Sequence, residues 1–177
     1  MPSRQRILIA ALATALLTAT AVLLVSAGSG AAPSKSQALF RKTLLADSKT
    51  TNAVKSLLRE RGFVAPEIAF SDLTGDGRSD AVVLVETGGV AGAVALYVLS
   101  THGKPANSDL RAVYRSQRLY RATAEVSAAR LIVRVPRFAQ GDDVCCPAKI
   151  IERVYSWSDA AKTLVKRSSR VIDGPMR

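Results

Sequence analysis

Nine residues, Asp72-Leu73-Thr74-Gly75-Asp76-Gly77-Arg78-Ser79-Asp80, run without a break into Ala81-Val82-Val83-Leu84-Val85. Gly75 and Gly77 permit a tight reversal, because glycine reaches positive φ without steric cost. The apolar run that follows is rich in branched side chains and lacks polar alternation. It predicts a buried strand, entered directly from an acidic turn. The segment therefore points to a β-rich fold in which this turn is a connector.

Counting Asp72 as position 1, oxygen-bearing side chains fall at positions 1, 3, 5 and 9: Asp72, Thr74, Asp76 and Asp80. A glycine stands at position 6, and Arg78 at position 7 offers a backbone carbonyl. Calcium takes several oxygen ligands, and such spacing on a turn can bring them to one point. Position 12 is Val83, so the bidentate glutamate of a helix-loop-helix calcium hand is missing. The loop resembles the Asp-x-x-Gly-Asp-Gly-x-x-Asp loops of FG-GAP/VCBS-type β repeats, which implies two flanking strands and a calcium ion held between them. Only one copy occurs, which excludes a propeller of several blades. The competing reading needs no metal: aspartates bond their own backbone in turns, and glycines supply the reversal.

The N-terminus predicts export. Arg4 and Arg6 precede an uncharged apolar stretch from Ile7 to Val25, and small residues follow from Ser26 to Ala32. This is the pattern of a secretory signal over residues 1–27, with Val25-Ser26-Ala27 as a cleavage site and Ser29-Gly30-Ala31 as another. The alternative is an uncleaved anchor, since the run is long enough to span a bilayer. Residues 28–35 read as a linker and 36–177 as one domain, long enough to bury a core.

Lysine and arginine number 25 against 14 acidic residues, a formal charge of +11. The excess lies after Thr101, at Arg111, Arg115, Arg118, Arg121, Arg130, Arg134 and Arg137. Such a surface attracts anionic envelope polymer or lipid headgroups, or serves solubility alone. Stacking aromatics are too few among these arginines to indicate specific nucleic-acid binding.

Helical spacing marks residues after a cap at Ser36, and again after Thr51 or Asn52, with Gly62 as the C′ residue. Strand patterns follow near Ile68–Ser71, Asp80–Glu86, Val94–Ser100, Leu110–Tyr114, Leu119–Val126, Leu131–Val135, Ile150–Ser156 and Leu164–Val171. Turns between neighbours predict an α+β fold: an N-terminal helix or helix pair packed on an antiparallel meander of about seven or eight strands. Arg134, Glu152 and Arg153 predict a solvent face on their strands.

Cys145 and Cys146 are adjacent and are the only cysteines. In an oxidising compartment three states compete: a vicinal disulfide, two buried thiols, or bonds to another chain. Asp142 and Asp143 oppose thiolate formation, so the pair reads as structural, stiffening Gly141–Pro147. Asp142-Asp143-Val144-Cys145-Cys146-Pro147, followed by Tyr155-Ser156-Trp157, resembles secreted actinobacterial proteins of the LppP/LprE lipoprotein type. That resemblance implies a cell-envelope protein. Those proteins carry a lipid-modified cysteine after the signal, and residues 20–35 contain none here, so lipidation is not expected. Ala148 also replaces the serine expected after Cys-Cys-Pro.

Catalytic signals are sparse. His102 is the sole histidine and reads as a surface loop residue, which excludes zinc sites built on several histidines. Gly88-Gly89-Val90-Ala91-Gly92 lacks the Lys-Ser/Thr of a phosphate loop. No nucleophile elbow appears. The expected function is a non-enzymatic binding or structural module outside the membrane, with a calcium-stabilised module, anionic-polymer binding and a hydrolase as alternatives.

Overall fold

The computed structural model describes residues 34–105 and 108–174. The export signal expected over 1–27 and residues 28–33 of the linker lie outside the described residues. Among those described, no helix is long and apolar enough to cross a membrane.

Helix α1 spans Lys35–Ala46 and α2 spans Asn52–Glu60. Ser34, not Ser36, caps α1. Its Oγ accepts from Gln37 N–H at 3.2 Å, and Gln37 Oε1 accepts from Ser34 N–H at 2.7 Å. A capping box needs Glu or Gln three residues after the cap; Ser36 would have found Leu39 there. Thr51 precedes α2, but its hydroxyl donates to Gln117 Oε1 at 2.9 Å and does not cap the helix. Gly62 follows α2 as expected, for a reason of space: a Cβ there would lie 2.4 Å from Leu57 Cγ.

Among the described residues nine strands follow, all paired antiparallel: β1 Phe63–Val64, β2 Ala69–Ser71, β3 Asp80–Glu86, β4 Ala93–Ser100, β5 Arg111–Gln117, β6 Thr123–Ser127, β7 Arg130–Arg137, β8 Lys149–Ser158 and β9 Thr163–Asp173. They do not form one meander. The first five make a sheet in which β1 and β2 both pair with β3, followed by β4 and β5; the last four make a second sheet in sequence order. The chain changes sheets between β5 and β6, where Arg118 and Arg121 take φ of 65° and 48°. The N–H groups of Leu119, Arg121 and Ala122 are tied there to the carbonyls of Val94, Ala91 and Ala93.

The reason for two sheets lies in β3 and β4, which are apolar on both faces. Ala81, Val83, Val85, Ala95, Tyr97 and Leu99 pack with Phe40, Leu44, Val54 and Leu58 of the helices. On the opposite face Val82, Leu96 and Val98 pack with Leu131, Val133, Tyr155 and Leu164 of the second sheet. The result is three layers: helices, first sheet, second sheet. Each fully buried large aliphatic contributes about 1.5–3 kcal/mol relative to exposure, so neither cover is dispensable.

Candidate functional site

The acidic turn is closed by its own donors. Asp80 opens β3, is 1% exposed, and accepts from the N–H groups of Leu73 and Thr74 at 2.8 and 2.9 Å, both on Oδ2. Asp72 accepts from the N–H groups of Gly75, Asp76 and Gly77 at 2.7, 3.1 and 2.8 Å. Asp76 accepts from the Arg78 backbone at 3.0 Å and from its guanidinium at 2.6 Å. Burial opposes ionisation of Asp76, but Arg78 outweighs it and holds the carboxyl below the usual range. Arg78, expected to lend only a carbonyl, instead ties the turn to the carbonyls of Thr101 and Lys104. Among the described residues, no group of three or more His, Cys, Asp or Glu comes together to hold a metal ion.

His102 sits beside this turn and is not a free surface residue. Its side chain is 17% exposed, and its ring meets Trp157 edge-on at 4.8 Å between centroids. Its Nδ1 is 3.6 Å from Asp76 Oδ2 and, among the described residues, has no hydrogen-bond partner.

The seven arginines singled out by charge do not make one surface. Arg115 on β5 grips Asp47 with two bonds of 2.6 and 2.8 Å, in a network where Asp47 also accepts from Thr50 and Gln117 joins Thr51 and Tyr97. Burial opposes ionisation of Asp47, yet Arg115, Thr50 and Lys49 together hold its carboxyl below the usual range. Arg134 on β7 donates to Glu125 at 2.7 Å and to Glu152 at 2.9 Å, and Arg170 on β9 donates to Glu152 at 2.8 Å. This ladder crosses all four strands of the second sheet. Glu152, expected to face solvent, is 4% exposed beneath its two arginines. Arg111 donates to the His102 carbonyl. Arg118, Arg130 and Arg137 are exposed, and the last two stand at opposite ends of β7.

Arg121 differs. It adjoins the connection Phe138–Ala148, in which Cys145 and Cys146 form a disulfide with each other. Asp142 folds that connection by accepting from the N–H groups of Ala139 and Ala148 at 2.8 and 2.9 Å. The Arg121 guanidinium donates to the Val144 carbonyl. Among the described residues it forms no ion pair with a carboxylate. A pocket of about 230 Å³ opens here, lined by Arg121, Thr123, Arg134, Pro136, Phe138, Cys145, Pro147 and Ile150. Tyr120 packs against Phe138 at the rim, and Val144 is 54% exposed. The charge pattern and the cysteine pair each stood out in the sequence; the fold brings two of the arginines, Arg121 and Arg134, and one of the cysteines, Cys145, to a single pocket. Nothing in the local sequence signalled that meeting, which depends on the turn between the sheets.

No family model, curated protein or solved structure matches the chain.

Proposed function

We propose that the chain is an exported, non-enzymatic binding module of the cell envelope, and that it takes an anionic envelope polymer at Arg121 beside the Cys145–Cys146 loop. The observation that carries this reading is a guanidinium in an open pocket, held by a carbonyl and, among the described residues, paired with no carboxylate. Arginine presents five donors in a planar fork suited to phosphate or carboxylate, and one bond to Val144 leaves donors to spare. Pro136, Phe138 and Ile150 supply apolar walls that would lower the dielectric around such a contact.

Three further features support the reading. A disulfide between neighbouring cysteines belongs to an oxidising compartment, in agreement with the export signal read at residues 1–27. The polar side chains best placed for chemistry are held in structural networks: Asp76 by Arg78, Asp47 by Arg115, Glu152 by Arg134 and Arg170. The segments that resemble the LppP/LprE lipoprotein type fall on this loop and on β8, which gives the envelope assignment its second support.

Pulldown of the purified protein on cell-wall material tests it. Binding should weaken as salt is raised, because exposed charge contacts are screened within about 8–10 Å at physiological ionic strength. Arg121→Gln should lose most of the binding, whereas Arg130→Gln, at a distance from the pocket, should retain it. Salt-independent retention, or equal binding by both variants, would overturn the proposal.

A further inference from the structure

A second and larger cleft lies on the other side of the start of β6. It measures about 600 Å³ and runs between the β1–β2 connection with β3 on one wall and Ala122, Thr123 and Ala124 on the other. The volume falls within the range of roughly 300–1,000 Å³ typical of small-molecule sites. Ile68, Val82 and Leu84 make the wall apolar, while the alanines opposite are too short to fill the gap.

Two carboxylates interrupt this apolar lining. Glu86 continues the row Val82–Leu84–Glu86 on the face of β3 turned towards the second sheet, since alternate residues of a strand share a face. It is half-buried at a β-bulge, where the pairing of β3 with β4 shifts register between Val85 and Glu86. The extra residue is Val94 on β4, so the alternation along β3 is intact, and bulges are over-represented beside functional sites. Glu67 stands exposed on the same cleft. Among the described residues neither carboxylate has a hydrogen bond or an ion pair, and the lining includes no lysine or arginine. In a chain of formal charge +11, cations for pairing are abundant. A carboxylate with no cation partner among the described residues, set at an inward position among apolar side chains, is complementary to a cation from outside that carries an apolar body. Two carboxylates among apolar side chains cannot supply the six or more oxygens that calcium wants, but they suit an ammonium group with a hydrocarbon body.

We propose that this cleft binds a small organic cation, its apolar body against Ile68, Val82 and Leu84 and its ammonium group on Glu86, with Glu67 at the rim. The site is separate from the Arg121 pocket and does not rest on that assignment.

The test uses 4-phenylbutylammonium as the probe, with 4-phenylbutanol as its neutral counterpart, titrated into the purified protein and followed by the methyl NMR signals of Val82, Leu84 and Ala124. Saturable shifts of these three signals are expected with the ammonium probe. A hydrogen bond to a charged group is worth about 1.5–3 kcal/mol, so the alcohol should bind at least about tenfold more weakly. Glu86→Gln should weaken the ammonium probe by a similar factor while leaving the alcohol unchanged. Ala124→Leu should block both by filling the cleft, and Arg121→Gln should leave both unaffected. Absence of saturable shifts with the ammonium probe, equal affinity for the two probes, or indifference of the ammonium probe to Glu86→Gln would each overturn the inference.

Discussion

Asp80 separates a structural role for the acidic turn from a metal-binding one. Its carboxylate is 1% exposed, and Oδ2 alone accepts both the Leu73 and the Thr74 N–H. Asp80→Ala leaves the buried Thr74 N–H without its acceptor and takes one of two from the Leu73 N–H, which also reaches the Ser71 carbonyl at 3.0 Å. An unsatisfied donor costs about 1–3 kcal/mol and a lost bond about 1 kcal/mol, so the loss should be roughly 2–4 kcal/mol. Asp80→Asn can place its carbonyl oxygen where Oδ2 lies and keep both bonds. Its amide then occupies the position of Oδ1, 3.5 Å from the Thr74 hydroxyl, which can accept. Only the charge-assisted increment is lost and no donor is stripped of its acceptor, so the net change should stay within about 1 kcal/mol. Urea unfolding followed by Trp157 fluorescence would read both variants, with the slope unchanged if the denatured state is unaffected. The same titration of the unsubstituted protein should give one midpoint in calcium and in EDTA. The reasoning fails if Asp80→Asn is as damaging as Asp80→Ala, or if calcium raises the midpoint.

Other outcomes follow from the described contacts. The carboxyl of Asp47 is held below its unfolded value near 3.9, so its contribution is fully present above that pH and is lost as pH falls through the folded value. The stability gap between the unsubstituted protein and Asp47→Asn, measured by urea unfolding from pH 7 to pH 2, should therefore narrow below about pH 4; a constant gap would contradict it. Intact mass without reductant should lie about 2 Da below the dithiol form, and a covalent dimer would refute the Cys145–Cys146 pairing. Gly62→Ala forces a Cβ to within 2.4 Å of Leu57 Cγ and should cost about 1–3 kcal/mol by overpacking; an unchanged melting curve would show that Leu57 can yield.

The sequence carried local structure well and long-range closure poorly. The limits of β3 at Asp80 and Glu86 could be read directly, because a turn of aspartate and glycine abuts an unbroken apolar run. The Ser34–Gln37 box was equally local, and reading the cap at Ser36 missed the reciprocal partner that fixes the position. By contrast, strands of the second sheet have the same alternation that strands added to the first would have. The change of sheet depends on Arg118 and Arg121 entering the left-handed region, which arginine does not advertise. β1, at two residues, is too short to produce a period. The arginine surface dissolved for a related reason: Arg115 finds Asp47 across 68 positions, and Arg134, Glu152 and Arg170 become neighbours only through strand register. Side chains that look like free charge in one dimension neutralise one another in three.

Because β3 is greasy on either side, hydrophobicity alone gives it no means of choosing between two seatings that differ by one residue. The choice is made at its ends. Asp80 is latched to the preceding turn at one, and the bulge opposite Val85 and Glu86 fixes the other. A slip would carry the Asp80 carboxylate under the helices and Glu86 away from the cleft, so the acidic turn works as the index mark that aligns the central ribbon with both of its covers.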